Sequence, residues 1–221
     1  MKTIIVIPAY NEEKTIGGVI REVRPYADEI VAVDDGSADA TSAIAAAEGA
    51  LVCRHLVNRG QGASLQTGIE RALGRGADII VTFDADGQHC PEEIPALISP
   101  VLNEKADVAL GTRFMKSKIP FSRRFFLKGA VIFTRLTSGL KVSDTHNGLR
   151  AFSRRAAEKM EIRQDGYAHA SEILNEISRL KLSYAEVPIT LKYTAYSLDK
   201  GQKFGSYPKI LADLFLGRFM K

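Results

Sequence analysis

The stretch "DIIVTFDADGQH" (residues 78–89) joins a continuous apolar run to two acids, Asp84 and Asp86, then a glycine and a glutamine. An Ile/Val-rich run without polar alternation reads as a strand covered on both faces. In extended backbone, residues two apart leave the same face, so Asp84 and Asp86 point together. Gly87 lets the chain turn at once, and Gln88 adds a neutral oxygen. Oxygen-only ligands suit Mg²⁺ or Mn²⁺. A solvated turn would use the same letters, and His89 reads as a surface or outer residue rather than a ligand.

Outward from this segment the chain repeats one rhythm. The runs "TIIVIP", "EIVAVD", "ALVCRHL", "DIIVTFD" and "ADVALG" alternate with helical patterns at 12–23, 39–47, 62–73 and 91–102. A β-α-β-α order of this kind predicts an α/β domain with a mostly parallel, doubly wound sheet and right-handed crossovers. Such sheets take ligands at the carboxyl ends of their strands. The segments expected there are "PAYNEE" (8–13), "DDGSAD" (34–39), "NRGQGAS" (58–64) and "DADGQH" (84–89), all rich in Asp, Asn, Gly or Glu. Asp34 and Asp35 fit ribose or base contacts, and a turn with an N-cap at Ser37 or Asp39 fits equally. "GQGAS" follows the third strand rather than the first, which argues against a dinucleotide fingerprint. Its glycines predict a close approach of backbone to a ligand at a helix start.

With 221 residues and 45% hydrophobic content, the chain suffices for one compact domain. No apolar stretch reaches the roughly 18–20 residues of a membrane span, and the N-terminus lacks a signal-peptide pattern. Cys53 and Cys90 have no metal or redox spacing and read as reduced thiols of a cytoplasmic protein. Charge is divided: residues 1–110 hold 9 Lys/Arg against 17 Asp/Glu, and residues 111–221 hold 21 against 9. That asymmetry suggests cation handling in one half and an anionic partner in the other. The segment 121–136 predicts an amphipathic helix with Arg124, Lys128 and Arg135 within about 40° of one another. A loop "SDTHNGLRAFSRR" (143–155), a helix at 169–180, a strand "YAEVPI" (184–189) and a last amphipathic helix at 207–219 follow.

Together, "IPAYNEE", "VDDGSADAT", "NRGQGASLQTGI" and "FDADGQHCPEEI" resemble an inverting family-2 glycosyltransferase of the GT-A (Rossmann-like) fold. The closer likeness is to the dolichol- or polyprenyl-phosphate sugar transferases, and it continues through "LGTRF", "DTHNGLRAFSR", "SEILNEI" and "EVPI". The resemblance implies a nucleotide-sugar-binding half (1–111) and an acceptor-binding half (112–221) within one domain. It implies that Pro8, Ala9, Tyr10 and Glu12, with Asp34 or Asp35, line the nucleotide, and that Gly62 lies near it. Asp84, Asp86 and Gln88 would hold Mg²⁺ or Mn²⁺ against the diphosphate of a GDP- or UDP-sugar.

Two acceptors remain open. A polyprenyl or dolichyl monophosphate is largely ionised at pH 7 and needs cations rather than a base; Arg113, Arg124, Lys128 and Lys200 are the candidates, with Arg113 acting as a bidentate fork. A glycan hydroxyl needs a carboxylate base, and Glu172 is the candidate, although Ser171 stands where relatives often carry a second acid. Thr194 replaces the Arg expected in the C-terminal stretch of the lipid-phosphate branch, and the C-terminal membrane hairpins of many relatives are missing. Contact with the lipid would then be peripheral, on the cytoplasmic membrane face or through a membrane-protein partner. A sugar-1-phosphate nucleotidyltransferase would show a basic, Gly-rich signature after the first strand. A non-catalytic binding module would not need Asp84, Asp86, Gln88 and Arg113 all intact. Nucleic-acid binding finds no recognised module, and oligomeric state cannot be read from the sequence.

Overall fold

The computed structural model describes residues 1–113, 138–145, 147–166 and 168–192. The expected helices at 121–136 and 207–219, with Arg124, Lys128 and Lys200, lie outside the described residues.

Seven strands form one sheet in the order β3-β2-β1-β4-β6-β5-β7. They are β1 (Thr3–Ala9), β2 (Glu29–Asp34), β3 (Leu51–Arg54), β4 (Ile79–Thr82), β5 (Val108–Thr112), β6 (Arg150–Ser153) and β7 (Tyr184–Pro188). All neighbouring pairs are parallel except those of β6, which runs antiparallel between β4 and β5. The expected mostly parallel α/β sheet is therefore present. One element departs from expectation: β6 lies inside the segment 143–155 that reads as a loop. Only four residues long, it draws its ladder bonds from strands about 40 and 70 positions away in sequence, for example Leu110↔Arg150 and Thr82↔Arg150.

Because side chains alternate across a strand, the apolar runs feed two cores. On one face Val6, Val33, Ile80, Leu110 and Phe152 pack with α3 (Gln61–Gly74), α5 (Arg154–Lys159) and α6 (His169–Arg179). On the other, Ile5, Ile7, Val81, Ala109 and Ala151 pack with α1 (Ile16–Val23) and α4 (Ile94–Leu102). The short α2 (Thr41–Ala47) leans on α1 and β3. Burial on both faces explains why these strands read as continuous apolar runs. Cys53 and Cys90 are unpaired. Among the described residues no helix is long and apolar enough to cross a membrane.

The parallel strands β1 to β4 end on the same edge of the sheet, and the four polar segments singled out from the sequence follow those ends. Backbone bonds stitch them together: Asp35 N–H donates to Ala9 O at 2.9 Å, and His55 N–H donates to Asp34 O at 2.9 Å.

Candidate active site

The β1 and β2 ends are tied side chain to backbone. Asn11, with a left-handed φ of 52°, accepts the Ala38 N–H on Oδ1 (3.0 Å), and its own N–H donates to Ser37 Oγ (2.9 Å). Glu12 is buried; its N–H donates to Thr41 Oγ1 at 2.8 Å, and its Oε2 accepts from Thr15 Oγ1 at 2.8 Å. Pro8 and Ala9 are buried in β1, whereas Tyr10 stands 44% exposed at the strand tip.

Asp34 and Asp35 are both buried, and each already has local partners. Asp34 Oδ1 accepts the Ser37 N–H at 2.9 Å, its Oδ2 bonds Ser42 Oγ, and Arg54 Nε lies 3.5 Å away. Asp35 accepts the backbone N–H groups of Arg59 (2.9 Å) and Gly60 (2.7 Å) and pairs with His55 Nδ1 at 2.7 Å. Asp35 thus fixes the path of the chain from β3 into α3, a role its sequence neighbours did not reveal.

The glycines of "GQGAS" make a close approach to the chain itself. A Cβ on Gly62 would fall 1.9 Å from Gln164 O, and one on Gly60 would fall 2.3 Å from Asp165 O. The Gly62 N–H donates to Asp165 O at 2.8 Å. The start of α3 is therefore held against the backbone of residues 164–166, and its glycines permit chain-to-chain contact. Glu172 secures that segment: its Oε2 accepts the N–H groups of Arg163 (3.0 Å) and Gln164 (2.8 Å). Burial raises the Glu172 carboxyl above its ordinary range, against the pull of those two donors.

Asp86 sits in the turn after β4, and Asp84 lies between that turn and the end of the strand. Asp84 Oδ2 lies 3.0 Å from His89 Nε2, and Oδ1 accepts from Gln61 Nε2 at 3.1 Å. Burial alone would raise the Asp84 carboxyl; the bond and charge of His89, with the charges of Arg150 and His169, carry it below the usual range. Burial and the neighbouring Asp84 charge push Asp86 up to about 6, opposed by the Gln88 N–H on its Oδ1 at 3.0 Å. His89, read from sequence as a surface or outer residue, is only 3% exposed, so it is not on the surface and stands against Asp84.

Among the described residues, no three His, Cys, Asp or Glu side chains gather into a complete metal cage. Asp84 and Asp86, close enough for their charges to act on each other, and the amide of Gln88 two positions on, are oxygen donors of the kind that suits a hard cation that keeps water or takes phosphate oxygens for its remaining positions. Asp86 points the same way electrostatically: burial first, and the Asp84 charge second, make its ionised form costly, and a bound cation would offset that cost. The residues fit Mg²⁺ or Mn²⁺.

On the far side of β4, Arg113 is buried and gripped by Asp144. Nε donates to Oδ2 at 2.7 Å, Nη2 donates to Oδ1 at 3.0 Å, and the Arg113 N–H reaches Oδ2 at 3.2 Å. The Nε–Nη2 edge, expected to fork onto a phosphate, thus holds a carboxylate of the protein. Arg150, which sequence reading did not single out, is also buried, within electrostatic range of Asp84 and Asp144. Burial lowers it to about 10, which leaves it a cation at neutral pH, and its Nη1 has no hydrogen-bond partner among the described residues. The available signal was a lone Arg between apolar neighbours in "NGLRAF", at what the structure makes the start of β6.

Seven mostly parallel strands in this order, flanked by helices, form a GT-A-like architecture. The chain belongs to glycosyl transferase family 2, whose pattern matches residues 4–161. It is 42% identical over 219 residues to an uncharacterized protein of Methanocaldococcus jannaschii, covering 96% of this chain and 90% of that one. It is 35% identical over 221 residues to the UDP-N-acetylglucosamine–dolichyl-phosphate N-acetylglucosaminyltransferase of Methanococcus voltae, covering 89% and 88%. The polyprenol monophosphomannose synthase of Mycolicibacterium smegmatis is 32% identical over 221 residues, covering 93% and 82%. The fold matches that of glucosyl-3-phosphoglycerate synthase from Mycobacterium tuberculosis in complex with Mn²⁺, UDP and glucosyl-3-phosphoglycerate. That match has a TM-score of 0.76 at 22% identity and covers 97% of this chain and 77% of that one.

Proposed function

We propose that this transferase moves a sugar from a nucleoside-diphosphate donor to a polyprenyl- or dolichyl-phosphate acceptor, with inversion and with a divalent metal. The observation that carries this reading is the D-x-D segment at Asp84–Asp86, which follows β4 on the edge where β1 and β2 also end, in a chain whose relatives are named for dolichyl-phosphate and polyprenol transfer. Mg²⁺ or Mn²⁺ held by Asp84, Asp86 and Gln88 would supply charge stabilisation for the departing nucleoside diphosphate. Pro8, Ala9, Tyr10 and Glu12, with the Asp34–Asp35 edge, would line the nucleotide. The rigid stitching of these loops favours a preformed cleft, so little ordering accompanies donor binding.

The acceptor would lie across β4, in the half of the chain that carries the basic surplus. Arg113, steadied by Asp144, and Arg124, Lys128 and Lys200 are the cations assigned to its phosphate. The relatives named for dolichyl-phosphate and polyprenol support a lipid phosphate over a glycan hydroxyl. Glu172 has a structural task of its own, since its Oε2 is engaged by two backbone donors. An ionised phosphate oxygen attacks without a base, so Glu172→Gln is expected to keep transfer to lipid phosphate within about threefold. A near-total loss with donor binding intact would instead favour a hydroxyl acceptor and Glu172 as its base.

The donor half of the reading is tested by thermal shift with UDP, GDP and their sugars, each with and without Mn²⁺. One nucleotide should stabilise the protein only when Mn²⁺ is present, by roughly RT ln(1 + [L]/Kd). Equal stabilisation with and without metal would contradict the metal-dependent reading.

A further inference from the structure

We infer that His89 and Gln61 are positioning residues that clamp the two oxygens of Asp84, and so set the acid that would face the metal. The inference rests on the metal-dependent reading above and deepens it. Gln61 opens α3 and donates to Oδ1; His89 follows the turn and reaches Oδ2. Behind the carboxylate, Gly148 leaves room that no side chain could, because a Cβ there would fall 2.2 Å from Oδ2. The acid is therefore fixed on three sides: by a helix start, by its own turn, and by the backbone that leads into β6. Each oxygen keeps a further lone pair for a ligand.

His89 itself has a feature that a purely structural role does not explain. A carboxylate oxygen accepts, so Nε2 carries the proton on the Asp84 side. The ring meets Phe83 edge-on at 5.4 Å and 63°, and the backbone forms a bridge with Leu191. Its Nδ1, however, is buried with no hydrogen-bond partner among the described residues. An orphaned buried polar atom destabilises a fold, and a phenylalanine would fill the same space beside Phe83 without one. What histidine offers there that phenylalanine cannot is the Nε2–H on Asp84. Outer partners of this kind orient ligands, and losing them typically weakens metal binding by about 10–100-fold.

The test compares His89→Phe, His89→Gln and Gln61→Met with the wild type by calorimetric titration of Mn²⁺ in the presence of the nucleotide that the shift panel identifies, and by the thermal midpoint of the metal-free proteins. His89→Phe should melt at or above the wild-type midpoint yet bind Mn²⁺ at least about tenfold more weakly. His89→Gln, which restores a donor, should recover most of that loss, and Gln61→Met should weaken binding in the same direction with an unchanged midpoint. Wild-type Mn²⁺ affinity in both His89→Phe and Gln61→Met would overturn the clamp. If His89→Phe fails to fold, wild-type affinity in Gln61→Met overturns it alone. A wild type that binds no Mn²⁺ with any nucleotide would instead strike down the metal-dependent reading on which the clamp rests.

Discussion

Replacing Asp86 by asparagine is expected to abolish transfer, by about 10³-fold or more, while making the metal-free protein more stable. The two effects come from one cause. Asp86 is pushed up to about 6 in the folded chain by burial and by Asp84. A carboxyl raised above its unfolded value is bound more tightly to its proton in the native state, so above pH 6 its ionised form disfavours folding. Asparagine removes that charge. At pH 7.5 and without metal, Asp86→Asn should therefore raise the thermal midpoint by roughly 2–5 °C. The gain should shrink as pH falls from 6 toward 4, where the wild type takes up the proton itself. Mn²⁺ with nucleotide should reverse the ranking, stabilising the wild type and leaving the variant unmoved. A variant that is destabilised without metal at pH 7.5 would mean that Asp86 is a structural acid.

The second large effect is expected at Asp144, and it concerns stability first. Asp144 is the partner of Arg113 on both Nε and Nη2, and Arg150 lies within its field. Asp144→Ala removes the carboxylate that Nε and Nη2 of buried Arg113 engage, and one of the two acids, with Asp84, whose charges act on Arg150. This should destabilise the fold by about 3–5 kcal/mol, read by urea denaturation. Replacing Arg113 and Asp144 together by Met and Leu should recover much of that loss, because a well-packed apolar pair is often as stable as a buried ion pair. The same double variant should transfer poorly, since Arg113 is assigned to the acceptor. A loss below about 1 kcal/mol in Asp144→Ala would show that the pair is more hydrated than its burial indicates.

These two sites also mark what the sequence could and could not reveal. Asp86 was legible because the acids of "DADGQH" terminate a continuous apolar run, and parallel sheets collect such ends on one edge. Asp144 was not, because its partner is 31 positions away and nothing local distinguishes it from a turn acid. β6 was hidden for a similar reason: "RAFS" is too short to show a period, and two distant strands create it. The glycines of "GQGAS" announced a close approach correctly but not its partner, since Gln164 and Asp165 lie about a hundred residues further on. Gln61, in the same motif, reaches Asp84 only once α3 is docked on β1. Local chemistry was readable where one strand end supplies it, and unreadable where the tertiary fold does.

The most direct test of the central claim is transfer of labelled sugar from a panel of UDP- and GDP-sugars to a polyprenyl phosphate in detergent, with Mn²⁺ or with EDTA. The account predicts a lipid-linked sugar formed from one nucleotide class, lost with EDTA, restored by excess Mn²⁺ and absent in Asp86→Asn. Transfer that persists in EDTA, or label that reaches only a glycan hydroxyl and never the lipid phosphate, would contradict it.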